Sequence, residues 1–338
     1  MSHAPFERKN ILVTGGAGFL GSHLCDVLVK DANVICVDNF ATGNVKNIEQ
    51  LLQNPAFEFI NHDITQPLKL EDYKELERFH FNVQGIQQIY HLACPISKKQ
   101  FEQHRISTML TNSLGIKHVL DIAVTWKSKV LFASSAALYG QRREDHPYVN
   151  ESDPCLIDHL TRFGAYDEGK RFTEAMLYTY ADIYGLDVKI ARIFRTYGPR
   201  MKILDGNLLP DIVNAALDNQ EIELKELEST KIALCYVSDV IDGLVKHMNS
   251  PIDVTVMNLG SDQEYPLAQL AEKITRFVES TSHVHFVPDD QPHFEAGLPD
   301  LGRARQLLHW VPLVRLDDGL QKMIEFARSH RKQVPFLP

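Results

Sequence analysis

Near its start the chain reads Ile11-Leu12-Val13 and then Thr14-Gly15-Gly16-Ala17-Gly18-Phe19-Leu20-Gly21, an apolar run followed by a glycine-rich turn and a helical pattern. Gly15, Gly18 and Gly21 have GxxGxxG spacing. Glycine lets the turn close tightly and lets a diphosphate approach the backbone, while the helix N-terminus offers unpaired N–H groups. The stretch therefore predicts a dinucleotide site in a strand–turn–helix unit.

Working outward, short apolar runs alternate with longer helical patterns through the first half of the chain. The apolar runs lie at 11–13, 34–37, 57–60, 89–92, 130–133 and 188–193. The helical patterns include 21–30, 100–125 and 164–184. This alternation is typical of βαβ units on a parallel sheet. We expect an α/β fold, with a Rossmann-type doubly wound domain over residues 1–195.

The alternation weakens after Pro199, so we expect residues 196–338 to form mainly a smaller C-terminal substrate-binding lobe. A strand near 254–259 should return to the first lobe, within a stretch near 233–262. Residues 69–88 are charged and aromatic, and we interpret them as a surface helix and loop.

The composition of the chain argues against nucleic-acid, membrane and metal partners. The 338 residues are 44% hydrophobic and 23% charged, which is ordinary for a soluble globular protein. The net charge of −9 gives no basic surface for nucleic acid. Five scattered cysteines without CxxC pairing, a polar start and no long apolar run favour a cytoplasmic protein without a membrane partner. His283 and His285 lack further ligands, so we expect no metal.

A carboxylate should select the cofactor. Asp38 ends the second apolar run, 17 residues after Gly21, where it can accept both ribose hydroxyls and repel a 2′-phosphate; this favours NAD over NADP. Asp63 could bind the adenine amino group, or it could cap a helix. We expect further cofactor contacts from Phe19, Leu20, Asn39, Ile64, Leu92, Ala93, Lys170 and Arg195.

The stretch Tyr166-Asp167-Glu168-Gly169-Lys170 is a YxxxK pattern in a helical segment. Residues four apart share one helix face, so the Lys170 ammonium would stabilise the Tyr166 phenolate and lower the tyrosine pKa from about 10. Tyr166 could then take a proton from a sugar hydroxyl. Ser135, at the end of the fifth run, is our third catalytic residue.

With these residues in place, the chain resembles the extended short-chain dehydrogenases that modify nucleotide sugars, and among them the UDP-glucuronate decarboxylases. The resemblance covers about residues 10 to 327. Its motifs include Phe59-Ile60-Asn61-His62-Asp63, Tyr90-His91-Leu92-Ala93, Tyr166-Asp167-Glu168-Gly169-Lys170-Arg171, Ala191-Arg192-Ile193-Phe194, Gly198-Pro199-Arg200-Met201, Asp205-Gly206, Tyr236-Val237-Ser238-Asp239 and Asn258-Leu259-Gly260.

The resemblance implies a transient ketone at sugar C4. Decarboxylases then lose the C5 carboxylate as CO₂, epimerases return hydride to the other face, and dehydratases expel the C6 hydroxyl. It also implies substrate contacts from Ser135, Tyr166 and a further set. That set is Cys94, Arg195, Arg200, Asn207 and Lys231. For Cys94, which follows the fourth run, we favour the alternative of a small buried residue. Helices 100–125 and 164–184 match those that pair in a four-helix bundle, which predicts a homodimer.

Three positions depart from the decarboxylase pattern. Ala137 stands where that family has glutamate, and Ile232 and Gly297 stand where arginines are expected. The first change removes an acid/base group, and the others remove bidentate phosphate contacts. Arg195, which replaces an asparagine, could compensate, as could Lys231 and Arg200.

These departures leave several hypotheses open. The first is a decarboxylase (a lyase) acting through a 4-keto sugar, with a 4-epimerase as its close competitor. The second is a net dehydrogenase or reductase on another hydroxyl compound. The third, a non-enzymatic NAD-binding regulator, is opposed by the intact Tyr166 and Lys170.

Overall fold

The computed structural model describes residues 8–331, except 98, 100, 204, 252–255 and 288–295. Its strands are β1 (Asn10–Thr14), β2 (Asn33–Asp38), β3 (Phe57–Asn61), β4 (Gln88–His91), β5 (Lys129–Ser135), β6 (Tyr148–Val149), β7 (Val188–Ile193), β8 (Thr196–Tyr197), β9 (Ile222–Leu224), β10 (Lys231–Ala233), β11 (Cys235–Tyr236), β12 (Val256–Leu259), β13 (Glu264–Pro266), β14 (Val284–Phe286) and β15 (Leu298–Pro299).

The helices are α1 (Phe19–Leu28), α2 (Phe81–Gln84), α3 (Phe101–Leu110), α4 (Ile116–Trp126), α5 (Gly164–Tyr184), α6 (Leu208–Leu217), α7 (Val237–Asn249), α8 (Leu267–Val278), α9 (Gly302–Leu308) and α10 (Leu316–Arg331). A π turn at Thr111–Gly115 joins α3 to α4. Short 3₁₀ turns lie at Val45–Asn47, Glu49–Leu51, Leu70–Asp72, Lys74–Phe79 and Ala136–Tyr139. None of the helices in the described residues is long and apolar enough to cross a membrane.

The central sheet has seven strands in the order β12-β7-β5-β4-β1-β2-β3, and each neighbouring pair is parallel. The chain starts in the middle, winds outward to β3, and returns to build the other half from β4. This is the strand order of a dinucleotide-binding α/β sheet. The predicted doubly wound Rossmann-type fold is confirmed.

Each face of the sheet is covered by helices, because every strand is apolar on both sides. On one face Val13 and Val34 pack in a core that includes Leu24 of α1. On the other face Leu12 and Ile35 pack in a second core that contains residues of α4 and α5. Adjacent residues of one strand thus enter opposite cores, as the pleat requires.

The carboxyl ends of the strands meet at one edge. Thr14 lies opposite Val37 and His91 in the register, and Ser135 lies opposite Ile193. In open parallel sheets ligands bind in the crevice outside this edge. The loops that follow β1, β2, β4, β5 and β7 therefore form a shared site.

Residues after β7 form small two-stranded pairs, β8 with β11, β9 with β14 and β10 with β13, and β15 pairs with β6. β12 rejoins the central sheet beside β7. The expected returning strand therefore exists at Val256–Leu259, while positions 254 and 255 lie outside the described residues.

Two expectations for local structure need correction. Residues 69–88 form 3₁₀ turns, the short helix α2 and the start of β4. Leu76, Phe79 and Phe81 of this segment are buried in the second core, so it is not a surface helix. The long pattern at 100–125 is two helices around a π turn, with position 100 outside the described residues. In both segments, packing against residues that are distant in the sequence determines the local structure.

Candidate active site at the carboxyl edge of the sheet

The glycine-rich turn leaves no room for side chains. Gly15 has φ +74°, and a Cβ atom there would lie 2.6 Å from the Ala93 nitrogen. A Cβ on Gly21 would lie 2.1 Å from the Gly15 oxygen, and one on Gly16 would lie 2.4 Å from the Cys36 Sγ. The turn thus holds bare backbone at the start of α1, where N–H groups face the crevice. This arrangement fits a dinucleotide diphosphate.

Asp38, the last residue of β2, is held by the same turn. Its Oδ2 accepts a hydrogen bond from the Ala17 N–H at 3.0 Å, and its Oδ1 accepts one from the Phe40 N–H at 2.8 Å. Burial raises the pKa of this carboxyl, although these backbone bonds oppose the rise. A carboxylate has about four acceptor sites, and with a third backbone bond from Asn39 about one stays available for a ribose hydroxyl.

Asp63 and Asn39 lie next to this end of the crevice. The Asp63 Oδ1 accepts the Thr65 N–H at 2.9 Å, which is a local turn bond. Burial opposes the change, but hydrogen bonds from Thr65 and Asn39 outweigh it and lower the pKa of Asp63. An ionised carboxylate here suits an amino-group donor such as adenine.

One cavity of about 2270 Å³ runs along the edge of the sheet. Ligand pockets commonly measure about 300–1,000 Å³, so this cavity has room for a dinucleotide and a second molecule. Of the predicted site residues, those that line it are Gly15, Gly18, Phe19, Leu20, Gly21, Asp38, Asn39, Asp63, Ile64, Leu92, Ala93, Cys94, Ser135, Tyr166, Lys170, Arg195, Arg200 and Asn207.

Ser135, Tyr166 and Lys170 meet at the centre of this cavity. The side chains of Ser135 and Tyr166 lie close enough to interact. The Lys170 Nζ is buried, lies 5.7 Å from the centre of the Tyr166 ring, and donates to the Ala133 oxygen at 2.7 Å. Helix α5 thus places a phenol, and a cation behind it, at the end of β5.

The expected lowering of the tyrosine pKa is not found. Burial raises the pKa of Tyr166 well above its usual value, and the nearby Cys94 thiol acts in the same direction. Burial also lowers the pKa of Lys170. Desolvation disfavours both charged forms and is the largest cause of both shifts. Additional positive charge beside the phenol is therefore needed to favour phenolate.

Cys94 lies beside the pair. Its Sγ accepts a hydrogen bond from the Asn112 Nδ2 at 3.3 Å. Electrostatic contact with both Tyr166 and Lys170 places the thiol near the reacting end of the cavity. The side chain is half-buried, so it can contact a bound molecule.

The residues predicted to hold substrate are only partly brought together. Arg195 and Asn207 line the cavity, and so does Arg200, whose Nη1 lies 2.7 Å from an Asp26 carboxylate oxygen. Lys231 does not line it: on β10 Lys231 is exposed, and Ile232, the next residue along, is buried and lines the cavity. Alternation along the strand decides which of the two faces inward.

The three residues that depart from the decarboxylase pattern do not all line the cavity. Ala137, in the 3₁₀ turn after β5, and Ile232 line the cavity with apolar side chains. Gly297 packs against Val149, since a Cβ there would lie 3.0 Å from the Val149 Cγ1. Two of the changes thus alter the cavity wall directly.

Sequence reasoning overlooked some cavity residues. Asp167 lines the cavity one residue after Tyr166, and the Ser97 hydroxyl donates to the Asp205 carboxylate on the opposite wall. Asp167 had a usable signal, because it directly follows the catalytic tyrosine. The Ser97–Asp205 pair had none, since its members are 108 residues apart.

Comparisons with known proteins agree with this geometry. The chain is 39% identical over 339 residues to UDP-glucuronic acid decarboxylase 1 of Danio rerio, covering 98% of this chain and 76% of the relative. It is 33% identical to UDP-glucuronic acid decarboxylase 5 of Arabidopsis thaliana, covering 95% and 90%. A UDP-glucose 4-epimerase from Thermotoga maritima, solved with UDP-glucose, superposes with a TM-score of 0.82 at 26% identity, covering 95% of this chain and 99% of the other.

The family model described as the NAD dependent epimerase/dehydratase family matches residues 11–260, which include the glycine turn, Asp38 and the Ser135–Tyr166–Lys170 group. Its cofactor is NAD, which the crowded glycine turn and the buried Asp38 fit. The chain therefore belongs to the NAD dependent epimerase/dehydratase family of short-chain dehydrogenase/reductase enzymes.

Proposed function

We propose that this protein converts UDP-glucuronate into UDP-xylose and CO₂ through a transient ketone at C4 of the sugar. The observation that carries the proposal is a likeness to UDP-glucuronic acid decarboxylases that extends over 98% of the chain. The catalytic residues required for oxidation at C4 lie together in one cavity that is large enough for both partners.

The chain's own residues supply proton transfer and orientation. Tyr166 removes the proton of the C4 hydroxyl and later returns it, and Ser135 holds the same oxygen through its hydroxyl. Lys170, held by the Ala133 oxygen, keeps a positive charge behind the phenol. When bound, NAD would supply the hydride acceptor and donor for C4, so the reaction would involve no net oxidation.

Substrate recognition falls mainly to the second part of the chain, residues 196–338, with the NAD-binding part covering 1–195 and a return near 233–262. Arg200 and Asn207 of this part, and Arg195 at the end of the NAD-binding part, line the cavity and would contact the diphosphate and sugar. Arg195 is accessible from the cavity, whereas Arg200 also pairs with Asp26. Lys231 would reach a substrate only from the rim.

A second candidate is 4-epimerisation of a nucleotide sugar. It is favoured by the apolar Ala136 and Ala137, which leave the turn after β5 without the carboxylate expected of a decarboxylase. A third candidate is net 4-oxidation of another hydroxyl compound. It is supported by Ile232 and Gly297, which stand where a decarboxylase is expected to have arginines.

The deciding experiment is incubation of the purified protein and NAD⁺ with a panel of nucleotide sugars, followed by mass spectrometry. A loss of about 44 mass units from UDP-glucuronate supports decarboxylation. An unchanged mass with a new retention time supports the epimerase. A loss of about two units with net NADH supports the dehydrogenase.

We also propose a homodimer in which α3 and α5 pair with their copies in a four-helix bundle. Ile106 of α3 is 77% exposed and Ile183 of α5 is 64% exposed, so both helices present large apolar side chains that a partner helix would cover. Ile106→Lys should produce a monomer in light scattering. Val83→Lys, a matched change at a residue 75% exposed on α2, should leave the dimer intact. A monomeric parent protein would refute the proposal.

The cytoplasm is the compartment we propose. All five cysteines are free thiols, and a chain with unpaired thiols suits a reducing environment. Imaging of a tagged protein would test this.

A further inference from the structure

The turn after β5 lacks a proton donor that the proposed reaction needs. Ala136 and Ala137 face the cavity there, and neither can exchange a proton. When CO₂ leaves C5 of the 4-keto sugar, C5 must receive a proton in its place. This inference rests on the proposed function and asks which group of this chain takes that role.

Helix α5 runs past this turn; the topology of the sheet gives its direction, and two side-chain contacts hold it against β5. Because α5 connects the parallel strands β5 and β7, its N-terminus lies near the carboxyl end of β5. Lys170 bonds the Ala133 oxygen, and Glu174, one turn later, accepts the Ser134 hydroxyl at 2.5 Å. The faces of the helix can therefore be assigned to parts of the strand.

Asp167 lies on the same helix face as Glu174. The two are seven residues apart, which is nearly two full turns and about 10 Å along the axis. Since Glu174 bonds Ser134 in β5, this spacing puts Asp167 beyond the end of that strand, on the side of the Ala136–Tyr139 turn that α5 contacts, and Asp167 lines the same cavity as Ala136 and Ala137. This is the position at which the family's glutamate is missing.

The carboxyl of Asp167 is available for chemistry. It lines the cavity and is half-buried, and in the described part of the chain no hydrogen-bond or ion-pair partner is found for it. Two other cavity carboxylates are engaged: Asp158 accepts the Leu160 N–H at 3.1 Å, and Asp205 accepts the Ser97 hydroxyl.

We propose that Asp167 is the acid that protonates C5, in place of the glutamate replaced by Ala137. The C5–C6 bond breaks, CO₂ leaves, and the electron pair passes into the C4 ketone to form an enolate. The Asp167 carboxyl then gives its proton to C5 as the C4 carbonyl reforms. Water reprotonates the resulting carboxylate, so no oxidant or reductant is consumed in this step.

The electrostatic surroundings suit an acid. Burial, followed by the negative charge of Glu168, raises the pKa of Asp167 to about 6. At neutral pH about a tenth of the molecules then carry the proton, far more than for an ordinary aspartate. An acid whose pKa is near the working pH is an efficient proton donor.

The test compares Asp167→Asn with the parent protein, NAD⁺ and UDP-glucuronate. We expect bound NADH to form at close to the parent rate, which also shows that the variant is folded, while UDP-xylose formation falls by about 10²-fold or more. Adding Ala137→Glu to Asp167→Asn should restore at least about a tenth of the lost rate. Asp31→Asn, an exposed carboxylate away from the cavity, is the matched control.

Other results would overturn the inference. If Asp167→Asn makes UDP-xylose at the parent rate, or if Asp158→Asn shows the defect instead, Asp167 is not the acid. If Ala137→Glu rescues nothing, Asp167 does not fill the vacant role. If the parent protein releases no CO₂ at all, the proposed function fails and this inference fails with it.

Discussion

Tyr166 is the residue that we propose to exchange the proton, and its surroundings determine its ionisation. Its side chain lies near Ser135, and its ring faces the buried Lys170 ammonium. Burial raises its pKa, so the neutral phenol is the stable form until positive charge arrives beside it. A tyrosine in this state holds its proton firmly and releases it only within an assembled site.

At the residue scale we predict that Tyr166→Phe reduces kcat by about 10²–10⁴-fold, because the only change is loss of the hydroxyl that exchanges the proton. NAD binding, measured by calorimetry, should stay within about twofold, since the diphosphate is held by the glycine turn. Tyr180 lies on the same helix as Tyr166, and its hydroxyl donates to Asp121. Tyr180→Phe should therefore leave kcat unchanged. Retained activity in Tyr166→Phe would show that another group moves the proton.

The sequence was sufficient to locate these side chains but not to predict their ionisation. Tyr166 and Lys170 follow from helical spacing, and Ser135 from its place at a strand end. The pKa of Tyr166 depends on burial and on Cys94, which is 72 residues away in the chain. Spacing motifs carry no information about such distant neighbours.

At the element scale, the glycine turn sets the geometry of the cofactor site through close backbone contact. Gly15 and Gly185 both have positive φ, but only Gly15 has a crowded Cβ position. At Gly185, after α5, nothing lies within 4 Å. Comparing alanine substitutions at these two glycines therefore separates the effect of an unfavourable backbone conformation from the effect of a steric clash.

We predict that Gly15→Ala abolishes NAD binding in calorimetry, because its methyl group would force the turn away from Ala93. Gly185→Ala should keep both binding and activity, and should lower the free energy of unfolding by about 1–2 kcal/mol for the left-handed conformation alone. Equal NAD affinity in the two variants would contradict this account of the turn.

Regular elements were predictable to within about two residues wherever the pattern was local. β2, β3 and α5 lie where apolar runs and helical periodicity indicated. Residues 69–88 were misread as a surface segment because Leu76, Phe79 and Phe81, which are buried in the second core, stand among many charged residues. The π turn at Thr111–Gly115 was invisible because it accommodates contacts with other helices, such as Asn112 against Gly169.

At the scale of the whole molecule, a polar pair lies beneath the site in the centre of the sheet. His91 of β4 is fully buried, and its Nδ1 lies 2.7 Å from the Thr14 hydroxyl of β1. Burial, and then the positive charge of Lys170, lower the pKa of His91 to about 3. The folded protein therefore keeps this imidazole neutral at any ordinary pH.

We predict that this histidine makes the folded protein acid-sensitive. The unfolded chain takes up a proton at His91 below pH about 6.5, whereas the folded chain does not until about pH 3, so stability falls as pH falls through that window. The free energy of unfolding can be measured by denaturant titration at several pH values. Its slope against pH should be lower in His91→Asn by up to about 1.4 kcal/mol per pH unit. The exposed His159→Gln should leave the slope unchanged. A wild-type slope in His91→Asn would disprove the assignment.

The order of the central sheet was within reach of the sequence, because βα alternation and right-handed crossovers allow few arrangements. The small strand pairs after β7 were not, since they join segments far apart, such as β9 with β14. For the same reason the sequence did not predict that Ile232, rather than Lys231, faces the cavity.

The contact between Gly16 and the Cys36 sulfur has an evolutionary consequence. A methyl group at position 16 has no space while a thiol occupies position 36, and a shorter side chain at 36 would open that space. Position 16 should therefore stay glycine in related sequences that keep cysteine at position 36. In a related protein, alanine could replace Gly16 only after a smaller residue had replaced Cys36.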